Sequence, residues 1–179
     1  MTAVRATPQS LPHPDGRAIL SAVKSAGIRF IVAVPDIVTS DGLLWPISED
    51  PDFSLVRICK EDEGVSICAA MSYTGTRALL LMQQTGLMDS LNAIRAIGMD
   101  YRLPVCMMVG LQGKEPHLRP SQSQSYGVRI IEPVLNAMEL SHRLIEEPGD
   151  VTAIPGDIEQ AYSASTPHCF LIGRSPVAP

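Results

Sequence analysis

Arg77-Ala78-Leu79-Leu80-Leu81-Met82-Gln83 runs directly into Gln84-Thr85-Gly86-Leu87-Met88. The apolar run from Ala78 to Met82 has the length of a strand and no polar face. A strand of that kind must be buried on both sides, as in a parallel sheet covered by helices. Helical spacing follows at once. Met88, Leu91, Ile94 and Ile97 share one face of a helix predicted over residues 86–98.

The same alternation extends in both directions. Towards the N-terminus the pattern predicts a helix over 15–26 with Asp15 as N-cap and Gly27 as its stop. A strand over 28–34 follows, then a short helix over about 40–47 limited by Pro46, a strand over 55–59 and a helix over 62–73. Towards the C-terminus it predicts strands over 104–109 and 128–131 and helices over 134–146 and 157–165. The last strand covers 169–172. The expected fold is α/β: a three-layer sandwich with a mainly parallel sheet of about six strands and helices on both faces. One domain is expected over 15–179, after a loose, flexible N-terminal arm over 1–14. The stretch 113–127, with its Ser/Gln run, is longer than most connections and reads either as a mobile loop or as a lid.

Composition narrows the function classes. The chain has 179 residues, 45% of them hydrophobic, and a net charge of −5. It has length for one well-cored domain, and it has no basic run, so nucleic acid is not an expected partner. Nothing approaches the apolar length of a membrane helix, and the N-terminus lacks the apolar core of a signal peptide. A cytoplasmic protein is expected, with Cys59, Cys68, Cys106 and Cys169 as free thiols, mostly buried. No Cys/His spacing suits a metal, so no metal site is expected in this chain. Among the histidines, His142 reads as solvated and His168 as structural, which leaves His117, in the long loop, as the one placed to reach a substrate.

Ligands of open parallel sheets bind beyond the carboxyl ends of the strands. That rule selects Pro35-Asp36, the acidic segment Lys60-Glu61-Asp62-Glu63-Gly64, the turn Gln84-Thr85-Gly86-Leu87, and Gly110-Leu111-Gln112-Gly113. Acids at a helix start are favoured by its dipole, which accounts for Asp62 and Glu63. Glu61 is read as ending the second strand, from where its carboxylate could point into a crevice. Backbone N–H groups at Thr85 and Gly86 could meet an anion or a polar ring edge. No phosphate-loop or dinucleotide glycine pattern is present.

Together these segments resemble the pyrimidine-binding domain of thiamin-diphosphate enzymes, as found in sulfopyruvate decarboxylase α subunits and phosphonopyruvate decarboxylases. The likeness is carried by Lys60 to Ala70, by Leu81 to Ala93, by Leu103 to Gly113 and by Val34-Pro35-Asp36. The family's activating glutamate precedes a small helix residue by nine positions, and counting back from Ala70 reaches Glu61; Glu63 is the alternative register. The resemblance implies that Glu61 hydrogen-bonds the cofactor's aminopyrimidine and promotes formation of the thiazolium ylide. It implies that Pro35, Asp36, Gln84, Thr85, Gly86, Leu87 and Asn92 line the cofactor, and that Gln112, Lys114 and His117 are candidates for the substrate. The substrate class implied is a small 2-oxo acid, decarboxylated.

The chain departs from the family at Gln84-Thr85 and Met88-Asp89, and Leu111-Gln112-Gly113 stands where relatives carry Trp-Arg-Gly. The loss of that arginine bears on the substrate's anionic tail. Neither Gly149-Asp150 nor Gly156-Asp157 continues into a Gly-Asp-Gly metal motif. Magnesium and the cofactor's diphosphate are therefore expected on a separate β subunit, in a heterotetramer or larger assembly. Two other readings stay open: a non-catalytic or regulatory subunit of the same fold, and a flavodoxin-like small-molecule binder.

Overall fold

The computed structural model describes residues 11–178. Six strands form one sheet: β1 (Phe30–Ala33), β2 (Ser54–Arg57), β3 (Ala78–Gln83), β4 (Cys106–Gly110), β5 (Ser141–Ile145) and β6 (His168–Ile172). Their order is β2-β1-β3-β4-β6-β5, and every pairing is parallel. The expected α/β sandwich is thus observed.

The pleat of β3 explains the three layers. Leu79 and Leu81 point to one face and Leu80 and Met82 to the other, and all four are buried. The first face is covered by α1 (Gly16–Ser25) and a C-terminal helix (Ile154–Ala164), through Ile19, Val23, Ile154 and Ile158. The second is covered by a helix over Glu61–Tyr73 and by the helical segments after β3 and before β5, through Val65, Leu87, Ile94 and Leu135. Between β1 and β2 lie a π-helical turn (Ser40–Leu44) and α2 (Trp45–Glu49). Pro46 falls in the first turn of α2, where its missing N–H costs nothing, so the helix continues past the expected limit. The helix Glu61–Tyr73 is α3. After β3 come α4 (Gln84–Asp89), α5 (Leu91–Ala93) and a π-helical turn (Ile94–Asp100), so the helix begins two residues before its expected start.

Two expectations in the C-terminal third are corrected. Residues 128–131 are not a strand: they lie in α6 (Tyr126–Arg129) and the start of α7 (Ile131–Ala137). The helix expected over 134–146 stops at Ala137, and residues 141–145 form β5. The stop is visible in the backbone. Glu139 has φ 56°, its N–H donates to Asn136 O, and Leu140 N–H donates to Leu135 O. This left-handed closure ends a helix without the glycine that normally signals it. β5 is an edge strand, alternately exposed and covered, so it lacks the continuous apolar run of the inner strands.

The last helix, α8 (Ile154–Ala164), follows a 3₁₀ segment (Pro148–Ala153) and ends at Ser165, which has φ 54°. Of the expected arm, residues 1–10 lie outside the described part. Pro12, His13 and Pro14 are tied to the C-terminal segment: Arg174 donates to Pro12 O, the His13 ring hydrogen-bonds Ser175 O, and Val177 N–H donates to Pro14 O. Cys68, Cys106 and Cys169 are buried and Cys59 is exposed, all of them free. Among the described residues no helix is long and apolar enough to cross a membrane.

Candidate active site

The chain passes from β1 outward to β2 and then returns across β1 to β3. Where connections leave in opposite directions, the carboxyl ends of β1 and β3 frame a crevice. Four predicted segments meet at this edge, and each has a distinct environment.

Asp36, after β1, is buried. Its Oδ1 accepts the N–H groups of Val38 (2.7 Å) and Thr39 (3.0 Å), and the Thr39 hydroxyl donates to Oδ2. Burial raises the carboxyl's pKa above its ordinary value, against the opposing pull of these hydrogen bonds. The side chain lies against the Cα of Gly110 at the end of β4, where an added Cβ would come within 2.5 Å of Oδ1. Asp36 therefore acts as a cap for the turn that opens Ser40–Leu44. The spacing of Asp36 and Thr39 after a strand carried that signal. Pro35 beside it is exposed.

Glu61 is the first residue of α3, not the last of β2, which ends at Arg57. Lys60 is extended and leads into the helix (φ −137°, ψ 142°). Asp62 has local partners: its Oδ1 accepts Glu63 N–H at 3.0 Å, and its carboxylate lies 3.8 Å from Lys60 Nζ. Glu63 is exposed. Glu61, half-buried, forms no hydrogen bond or ion pair with another described residue. Its carboxylate lies directly against the Cα of Gly86 in the first turn of α4. The three acids of one short segment are thus separated by structure, and Glu61 is the one with an uncommitted carboxylate beside a second helix start.

Gln84 is buried, and both ends of its carboxamide are engaged. Its Nε2 donates to Gln112 O (2.9 Å), and its Oε1 accepts Gln112 N–H (2.8 Å). This reciprocal pair fastens the β3–α4 junction to the turn after β4, and the residue types alone gave no sign of it. Thr85 is exposed and its hydroxyl accepts from Gln83 Nε2 at 2.8 Å. Gly86 and Leu87 are buried. No side chain caps the start of α4, which leaves its first backbone N–H groups without a side-chain acceptor. Asn92, on α5, is exposed and its Oδ1 accepts from the Arg95 guanidinium (3.2 and 3.0 Å). The structure brings Glu61 and Gly86 together and links Gln84 to Gln112; it does not bring Asn92 to the Glu61 carboxylate by any hydrogen bond.

A cavity of about 280 Å³ opens beside Gln112, lined among others by Ile37, Val38, Leu111, Lys114 and Arg174. Lys114 is not a free cation there. Its side chain is buried, paired with Glu146, and its Nζ also donates to Glu115 O at 3.1 Å. Arg174 donates to Pro12, Glu146 and Pro116 carbonyls and so ties three segments together. His117 is exposed, outside that lining. The long loop is fastened from within: Glu115 accepts from Ser123 Oγ (2.7 Å) and Gln124 N–H (3.0 Å). Among the described residues no group of three or more His, Cys, Asp or Glu side chains is placed to hold a metal ion.

An uncommitted carboxylate against a glycine shelf, next to an uncapped helix start, can bind one polar edge of a flat ring. It can exchange a proton with an atom placed there. No family model matches the chain. The sulfopyruvate decarboxylase subunit alpha of Methanothermobacter thermautotrophicus is 28% identical over 144 residues, which cover 80% of this chain and 86% of that protein. The subunit alpha of Methanocaldococcus jannaschii is 30% identical over 123 residues, 69% of this chain and 71% of that one. The sulfopyruvate decarboxylase of Methanosarcina acetivorans is 24% identical over 155 residues, covering 86% of this chain but 38% of that longer protein. By the extent and identity of these matches, the chain belongs to the family of sulfopyruvate decarboxylase alpha subunits.

Proposed function

We propose that this chain is the pyrimidine-binding subunit of a thiamin-diphosphate-dependent 2-oxo acid decarboxylase, and that Glu61 is its activating carboxylate. The observation that carries the reading is the Glu61 carboxylate, uncommitted among the described residues and laid on Gly86 at the carboxyl edge of the sheet. The residues fit the cofactor's aminopyrimidine: an acceptor carboxylate, a neighbouring helix start with no side-chain cap, and a glycine that leaves room between them.

The chemistry supplied by thiamin diphosphate, when bound, is an electron sink for the pair released as carbon dioxide leaves the 2-oxo acid. Glu61 would hold a polar edge of the bound aminopyrimidine and exchange a proton there. The N–H groups of Thr85 and Gly86 would receive a polar edge of that ring. Gln84 keeps that turn in place through Gln112 rather than contacting the cofactor with its own carboxamide. Asp36, with three donors already on its carboxylate, shapes the crevice floor.

Magnesium and the diphosphate fall to a separate β-type subunit, so the active assembly is a hetero-oligomer. The relatives' designation as alpha subunits supports this. So does the longer Methanosarcina acetivorans relative, of whose length this chain covers 38%. Reconstitution tests it. The purified chain, given thiamin diphosphate and magnesium, is expected to leave a 2-oxo acid such as sulfopyruvate untouched, and to release carbon dioxide once the partner is added. Turnover by the chain alone would overturn the proposal.

A further inference from the structure

Gly86 has ordinary helical backbone; its φ is not among the positive ones, so conformation does not call for a glycine. Glycine within a helix is disfavoured relative to alanine because it loses more backbone freedom on folding. Something must offset that, and the structure shows what fills the space. A Cβ built at Gly86 would fall on Cγ, Cδ and Oε1 of Glu61. Gly64 in α3 is crowded as well, but there the neighbours are Leu80 and Ile58, so its role is apolar packing. At Gly86 the neighbour is a carboxylate that no described residue holds by a hydrogen bond.

We propose that Gly86 is a positioning residue for Glu61: its bare Cα is the shelf that fixes the carboxylate's rotamer. The role rests on the reading of Glu61 as the functional carboxylate. The shelf is itself held from two sides. The Gln84–Gln112 pair fixes the start of α4 against the turn after β4. Lys60, the residue before Glu61, pairs with Asp89 at the other end of α4 at 3.2 Å. A methyl group at position 86 would push the carboxylate to a different rotamer while leaving both tethers intact.

The test combines unfolding with kinetics. In the full chain, Gly86→Ala is expected to leave Tm within about 1 °C, because the rotamer shift it forces on Glu61 offsets the gain in helix propensity. In a Glu61→Ala background the same substitution should raise Tm by roughly 2 °C, because only helix propensity is left. In the reconstituted complex, Gly86→Ala should lower kcat about 100-fold, the scale of a small misplacement, with KM changed less than about twofold. An equal Tm rise in both backgrounds would overturn the contact. An unchanged kcat would overturn the positioning role even with the Tm pattern in place. An unchanged rate for Glu61→Gln would overturn the functional reading beneath it, and the Tm pattern, which needs no activity, tells that failure apart.

Discussion

Asp36 and Glu61 are carboxylates at the same sheet edge, yet their surroundings assign them different work. Asp36 is buried and accepts three hydrogen bonds from its own turn, whereas Glu61 is half-buried and accepts none from the described residues. A capping role needs acceptor oxygens, not charge. Asp36→Asn should therefore keep the fold and hold stability within about 1 kcal/mol at pH 7, while Asp36→Ala should lose about 1–2 kcal/mol; urea unfolding measures both. The pH sign follows from burial. The folded-state pKa of Asp36 lies above the unfolded value of 3.8, so the folded state binds the proton more tightly. This contribution is present at low pH and is lost as pH rises from about 3.8 through the raised folded pKa, a loss the asparagine variant should lack.

The elements most clearly written in the sequence are the inner strands. Ala78 to Met82 is apolar at every position because both faces of β3 are covered, and the same is true of β4 and of Cys169 to Ile172 in β6. The edge strand β5 was not legible. Its burial alternates, and Ser141, His142 and Arg143 break the apolar run, so periodicity merged it with the preceding helix. The helix end was hidden because Glu139, not glycine, takes the left-handed position. Glu139→Gly should accordingly stabilise the chain by about 0.5–1 kcal/mol, seen as a Tm rise of roughly 1–4 °C. The pairing of β5 with β6 holds a second prediction. His168 is buried at the start of β6, its Nδ1 2.9 Å from Ser141 Oγ, and burial lowers its pKa to about 4. Asp157, 3.8 Å from Nε2, opposes that shift, but its carboxylate is shared with Arg143. The folded pKa lies below the unfolded 6.5, so the unfolded chain binds more protons between the two. Stability is full above pH 6.5 and falls toward pH 4, by on the order of 2–3 kcal/mol. His168→Asn, whose carboxamide takes the place of Nδ1, should keep the contact with Ser141 and remove most of that acid sensitivity, as denaturation at pH 7 and pH 5 would show.

Taken together, the sheet gathers four separate stretches of chain at one edge, and the order β2-β1-β3 is what brings α3 and α4 side by side. The position of the candidate site was legible because the rule for parallel sheets depends only on strand ends. What Glu61 touches was not, since it depends on the crossing of α3 over the sheet and on a glycine 25 positions away in sequence. The same limit applies to Lys114, a substrate candidate by position that is buried in an ion pair with Glu146, which follows β5 much further along the chain. The central claim concerns Glu61 within an assembled enzyme. The measurement that bears on it most directly is the rate of carbon dioxide release from a 2-oxo acid by the reconstituted complex, with and without Glu61→Gln. A glutamine keeps the size and loses the proton exchange, so kcat should fall by about 10²- to 10⁴-fold with assembly intact; a rate equal to that of the unaltered complex would contradict the account.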